Sequence, residues 1–167
     1  DHRNSLEFGL EAKHLISDFT ISYAQTTDAL GQPVPASLNA NRISADNIGA
    51  FVSYIVKPWP RLTTTIGLRS DYFSYTESGH LSPRFSFSYQ ITNRTSINGS
   101  TGLYYQNLPL LLLSQSESHR RLPTPSARHY VLGIDHLLAP DTKLTLEIYQ
   151  KDYRHFPLDP AQPALFI

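Results

Sequence analysis

From Leu62 to Gln106 the side chains change character almost residue by residue, and that alternation excludes most folds. Leu81, Pro83, Phe85, Phe87, Tyr89 and Ile91 fall on one face of an extended chain; Ser82, Arg84, Ser86, Ser88, Gln90 and Thr92 fall on the other. The period is that of a β-strand with one apolar and one polar face. Leu62, Thr64, Ile66, Leu68, Ser70 and Tyr72 alternate in the same way with Thr63, Thr65, Gly67, Arg69, Asp71 and Phe73.

The pattern extends over most of the chain. Strands are expected at Ser5–Lys13, Ile43–Lys57, Leu62–Tyr75, Leu81–Thr92, Thr95–Gln106, Ala127–Leu138 and Lys143–His155. Leu15–Gln25 reads either as a continuation of the first strand or as a hairpin above it. Tight turns are expected at Lys57–Arg61, Thr92–Arg94 and Ala139–Thr142; the prolines of Lys57-Pro58-Trp59-Pro60-Arg61 should stop strand pairing there. Longer loops are expected at Asp28–Arg42, Thr76–His80, Asn107–Ser126 and after Phe156, where Gly, Pro and Asn or Asp accumulate. No segment shows a helical period. The fold class is therefore all-β: an antiparallel up-and-down meander of about seven long strands, with short turns at one end and long loops at the other. That asymmetry characterises the wall of a transmembrane β-barrel.

Composition narrows the functional classes. Lys and Arg number 14 and Asp and Glu 14, so the balanced charge gives no electrostatic footprint for nucleic acid. Charged residues make up 17% of the chain, below the roughly 25% of soluble domains. Absence of Cys excludes disulfides and thiolate metal sites. Absence of Met is expected of a processed product or an excised piece of a longer protein. No apolar run approaches the roughly 18–20 residues of a spanning helix, and Asp1–Leu10 is no signal peptide. Strands can span instead.

Several segments, in this order and spacing, resemble the β-barrel of TonB-dependent outer-membrane receptors. The most telling are LTTTIGLRSDYF, LSPRFSFSYQIT, GLYYQNLP and LTLEIYQKDY. The resemblance covers most of Ile43–Pro157 and extends more weakly to LEFGLEAK. It implies a barrel of about 22 strands, closed by a plug domain, in the bacterial outer membrane. It also implies uptake of a siderophore, cobalamin, sugar or peptide, driven by the TonB complex. Neither a plug nor a TonB-contacting segment is read in residues 1–167, and Phe166-Ile167 does not read as a barrel-closing strand. The chain is expected to be an internal piece of the barrel wall.

In such a wall Leu6, Phe8, Leu10, Val52, Ile66, Leu68, Phe85, Phe87, Ile97, Leu103, Leu132, Ile134, Leu144, Leu146 and Ile148 would face lipid. Glu7, Glu11, Asn98, Asp135 and Glu147 would face the lumen, where Arg69, Asp71 and Arg84 would supply a charge network. His136 and Asp152 fall on the lipid side by parity and belong near the rims or beside bulges. Tyr54, Trp59, Tyr72, Tyr105 and Tyr130 would form membrane-interface belts. Arg120, Arg121 and Arg128 flank the longest loop and are candidates for an anionic ligand or for lipopolysaccharide phosphates. The seven His show no zinc-ligand spacing, and no nucleophile elbow, phosphate loop or dinucleotide fingerprint occurs. No metal, cofactor or catalytic residue is expected. Two other readings fit the same strands. One is a soluble or surface-exposed β-sandwich binding module, whose apolar face would be a packed core; the other is a passive porin-like barrel.

Overall fold

A computed structural model describes residues 4–27, 31–114, 117–156, 158–159 and 162–166. Seven strands form one antiparallel sheet in the order β1 (Asn4–Tyr23), β4 (Ser37–Trp59), β5 (Leu62–Phe73), β6 (Ser78–Thr92), β7 (Thr95–Tyr105), β8 (Ser126–Ala139) and β9 (Thr142–Arg154). Every neighbour in the sheet is a neighbour in sequence among these long strands, as in an up-and-down meander. A small hairpin, β2 (Thr26–Thr27) and β3 (Pro33–Val34), tips the β1–β4 connection. Another, β10 (Leu158–Asp159) and β11 (Gln162–Phe166), follows β9. The β7–β8 connection holds a one-turn helix, α1 (Leu110–Leu113), and a 3₁₀ turn at His119–Arg121. No helix among the described residues is long and apolar enough to cross a membrane.

The register places every residue of the expected lipid face on one side. Tyr54, Ile66 and Phe85 are opposite one another across β4, β5 and β6. Val52 sits between Phe8 and Leu68. Tyr89, Ile97, Ile134 and Leu146 form a row across β6 to β9, and Phe87, Gly99, Leu132 and Ile148 form the next. Large apolar groups stand open on this side: Leu10 is 88% exposed, Phe8 78% and Ile148 65%. A second sheet is not stacked on them, so the sandwich reading is set aside: its apolar face would be the most buried part of the molecule.

What burial exists lies elsewhere. Ala45, Phe73, Leu110 and Leu113 form a small cluster, backed by Ile43, Tyr75 and Leu108. By strand parity Ala45 and Phe73 are on the polar face, near the long-loop end. The helix α1 is therefore folded inward onto the concave wall, where Leu113 is 1% exposed.

Four expectations change. The loop expected at Asp28–Arg42 is shorter, because β4 begins at Ser37 and pairs back to Tyr23; residues 28–30 lie outside the described residues. There β1 and β4 continue as one ladder, so Leu15–Gln25 is largely the strand running on. The prolines at 58 and 60 do not end pairing at Lys57: a register shift between Val56 and Trp59 absorbs Pro58, and Trp59 still pairs with Leu62. A bulge removes the donor requirement that a regular ladder would impose on proline. The Asn107–Ser126 loop contains a helix despite lacking a helical period, since four consecutive Leu are too few to show one; Gln115 and Ser116 of that loop lie outside the described residues. The loop expected after Phe156 contains β10 and β11, with Pro157, Pro160 and Ile167 outside the described residues.

Candidate functional site

Three strands bring the lumenal charges together. Glu11, Gly49 and Asp71 are in one row across β1, β4 and β5, and Gly9, Phe51 and Arg69 are in the adjacent row. Arg69 Nε donates to Asp71 Oδ2 at 2.8 Å, and Arg69 Nη2 donates to Asp71 Oδ1 at 2.7 Å and to Glu11 Oε2 at 2.8 Å. Lys13 forms an ion pair with the other oxygen of Glu11. The guanidinium spreads over the backbone of Gly49, where a Cβ would lie 2.7 Å from Nη2 and 2.8 Å from Asp71 Oδ1. Only glycine leaves room for the bidentate fork at that position. A second polar cluster on the same face centres on Asp135, which accepts from Asn98 Nδ2 at 2.9 Å and Thr145 Oγ1 at 2.7 Å and pairs with Lys143 at 2.9 Å.

Arg84 does not join Arg69 and Asp71. Its guanidinium carbon sits 4.6 Å from the centre of the Tyr104 ring, and that ring lies 4.6 Å from the His129 ring. No ion pair neutralises Arg84 among the described residues. Arg69 and Arg84 instead line one cavity of about 280 Å³, with Asn47, His80, Ser82 and Tyr104 among its walls. Asn47 Oδ1 is buried there with no hydrogen-bond partner. A cationic group over an aromatic ring and an unused acceptor make this, among the described residues, the chemically least satisfied part of the inner wall.

The β7–β8 loop roofs the cavity, and several contacts hold it. Leu110 and Leu113 dock on Ala45 and Phe73. His80 Nε2 and Thr124 Oγ1 are 2.8 Å apart, and the His80 ring stacks on Tyr105 at 4.3 Å. His119 Nδ1 donates to Leu112 O at 2.9 Å in the tautomer that carries the proton there. Arg120 Nε donates to Tyr75 O at 2.7 Å, with the guanidinium near the Tyr75 ring and 3.6 Å from Glu77.

The loop arginines therefore do not converge. Arg120 is turned to the β5–β6 turn as a structural pin, Arg121 is exposed beside it, and Arg128 lies on β8 opposite Leu103 and Asp152, on the outward face. Of the aromatics placed at the membrane boundary, Tyr54, Tyr72 and Tyr130 are exposed on the outward face and Trp59 stands 65% exposed beside the β4–β5 turn. Tyr105 is turned inward against His80, because β6 and β7 are no longer paired beyond Arg84 and Gly102. His136 and Asp152 are near the strand ends, His136 beside a register shift and 2.9 Å from Thr95 Oγ1. Sequence reasoning does not assign Glu11, Asn47, His80 and Tyr104 to one site. Their parity is readable, but the cross-strand register that unites them is not.

The geometry is a single curved antiparallel sheet with an apolar convex face and a polar, loop-roofed concave face. The family model described as "TonB dependent receptor-like, beta-barrel" matches residues 1–164. The chain belongs to this family. Its members are receptors and transporters of the bacterial outer membrane, and the family is not one of enzymes. Among solved structures, the chain is similar to the ferric enterobactin receptor PfeA (G324V mutant) of Pseudomonas aeruginosa. The TM-score is 0.74 at 18% identity, over 90% of this chain and 24% of that one. The outer membrane transporter YddB of Escherichia coli gives 0.67 at 16% identity, over 98% of this chain and 25% of that one. The siderophore receptor PirA of P. aeruginosa gives 0.63 at 15% identity, over 87% and 32%. These likenesses establish the shared fold. The chain spans about a quarter to a third of the length of those receptors. No curated protein sequence matches it.

Proposed function

We propose that the chain forms seven adjacent wall strands of a receptor that takes a ligand inward through its lumen, with a plug domain and a TonB-contacting segment in other parts of the protein and with energy from the inner-membrane TonB complex. A ferric siderophore is the first ligand to try, since PfeA and PirA carry that name; cobalamin, a sugar or a peptide are the alternatives within the same reading. The observation that carries the proposal is the cavity beneath the β7–β8 loop, where Arg84 stands over Tyr104 and forms no ion pair among the described residues, the Asp71 carboxylate on the same wall being engaged by Arg69. A ligand carrying negative charge would find a cation there, while Arg69 is already saturated by Asp71 and Glu11.

The test is uptake by the full-length receptor in cells, with a panel of ferric siderophores, cobalamin and oligosaccharides. For the transported compound, Arg84→Ala should weaken binding about tenfold or more, as expected for loss of a charge-assisted contact. Uptake should also stop when TonB is removed. Unchanged binding on Arg84→Ala would remove the cavity from the ligand path, and uptake that persists without TonB would overturn the energised-receptor reading.

A further inference from the structure

The β1–β4 pair does not stop where its neighbour in the wall does. β5 pairs with β4 only as far as Phe73, opposite Asn47, while β1 and β4 stay in register from Lys13 and Asn47 to Tyr23 and Ser37. Ten steps of roughly 3.3 Å each make a two-stranded ribbon that runs about 33 Å along the strand beyond the last β4–β5 pair. It rises at the long-loop end, which in a transmembrane barrel is the extracellular side. At its base the inner face is occupied, since Ala45 and Ile43 pack with Leu110 and Leu113 of the roof.

No strand among the described residues pairs with the β4 edge of this ribbon. Asp46 shows which way that edge is aimed. Its carbonyl accepts from Ser74 N at 2.9 Å and its N–H donates to Ser74 Oγ at 2.7 Å, both on the β5 side. The β1–β4 register runs without a shift, so every second residue above Asp46 turns its N–H and C=O the same way, away from β1. These residues are Ser44, Arg42, Ala40 and Leu38, and all four are exposed. Between Leu38 and Ala45 there is no proline and no lysine, the usual means by which an edge strand is blunted. Arg42 carries the single charge of that stretch. Its register partner on β1 is Asp18, yet Arg42 forms no ion pair among the described residues.

A row of main-chain donors and acceptors is matched best by another main chain. A second copy of the receptor does not supply it. In one membrane both ribbons rise the same way, and a two-fold axis along the membrane normal would set each edge N–H opposite its own copy. We propose that the β4 edge from Leu38 to Ser44 takes up an extended polypeptide segment from outside the cell as an added strand, with an acidic side chain of that segment beside Arg42. The surface is separate from the cavity under the roof and does not depend on which ligand the receptor transports.

Fluorescence anisotropy with the full-length receptor in detergent tests this. The probe is a short labelled peptide of alternating Thr and Val with one central Glu. One control carries N-methyl groups on its two central amides, and another has Lys in place of Glu. The probe should bind with a Kd below about 1 mM, and N-methylation should weaken it about tenfold, because adjacent methyl groups block both edges of the peptide. Arg42→Glu should weaken the Glu peptide about fivefold and strengthen the Lys peptide. Ala40→Pro should weaken binding about tenfold, since it removes an N–H that faces the free edge and leaves the bonds to β1 in place. Hydrogen exchange at Ala40 and Arg42 should be fast in the free receptor and slowed by the probe. Should Ala40→Pro fail to fold, the N-methylated peptide reads the same main-chain contact on the unaltered receptor. Equal binding of the methylated and unmethylated peptides, or no binding of either at millimolar concentration, would overturn the proposal. Slow exchange at Arg42 before any peptide is added would also overturn it, because another segment of the receptor would then already pair with this edge.

Discussion

Placing Arg at Ile66 or at Thr65 sets two neighbouring positions on one strand against each other. Ile66 lies between Tyr54 and Phe85 on the convex face and is 57% exposed. Thr65 lies between Ile55 and Ser86 on the concave face. Ile66 is four residues from the start of β5 at the short-turn end, hence about 13 Å along the strand and, at a tilt of about 40°, about 10 Å into an apolar band about 25 Å tall. A guanidinium there is close to the bilayer midplane and costs about 2–4 kcal/mol. At Thr65 the same group meets the wet lumenal side, and the cost should stay below about 1 kcal/mol. Urea unfolding of the full-length receptor in lipid vesicles, followed by the heat-modifiable gel shift, reads the difference. The ordering Ile66→Arg far worse than Thr65→Arg is expected. Equal losses, within about 1 kcal/mol, would refute the face assignment, because only a difference in solvent distinguishes residues one step apart on a strand.

Two further substitutions test the inner wall. Gly49→Ala should cost about 1–2 kcal/mol by forcing Arg69 away from Asp71 and Glu11, whereas Gly79→Ala, whose nearest neighbours are 3.9 Å and 4.0 Å away, should stay within about 0.5 kcal/mol in the same unfolding assay. Leu113→Ala removes the most buried side chain of the loop docking and should weaken it by about 2–5 kcal/mol; limited proteolysis should then cut between Gln106 and Pro125 at least about thirtyfold faster, while unchanged cleavage would mean that the leucines do not hold the roof.

The strands are legible wherever water lies on one side and hydrocarbon on the other. From β5 to β9 the alternation of apolar and polar side chains fixes the faces, because a slip of one residue would expose every apolar group to the wrong solvent; Ile66, Phe85, Ile134 and Leu146 are therefore where parity puts them. The outer half of β1 is legible as extended chain, though not as one strand rather than a hairpin, and the outer half of β4 is not legible. Both faces there are polar enough that Asn39 to Arg42 look like a loop, and only pairing with Ile21 to Asp18 makes them a strand. The site is half legible. Arg69 and Asp71 are two apart on one strand and meet by parity alone, whereas Glu11 reaches them through a contact 58 residues away in sequence. Nearness in sequence groups Arg128 with Arg120 and Arg121, although it shares parity with Tyr130 and Leu132, which point outward. Nothing in SQSES or the leucine run announces that the loop folds inward; that depends on Leu110 and Leu113 joining Ala45 and Phe73 in one buried cluster.

The most direct measurement is a nitroxide scan of β6 in the full-length receptor reconstituted in lipid, using single Cys substitutions at Phe85, Ser86, Phe87, Ser88, Tyr89 and Gln90. This chain has no Cys of its own to interfere. Labels at Phe85, Phe87 and Tyr89 should collide preferentially with dissolved oxygen, and labels at Ser86, Ser88 and Gln90 with a water-soluble nickel complex, giving a period of about two residues. A flat profile, or one with the two reagents exchanged, would contradict the placement of the apolar face against lipid.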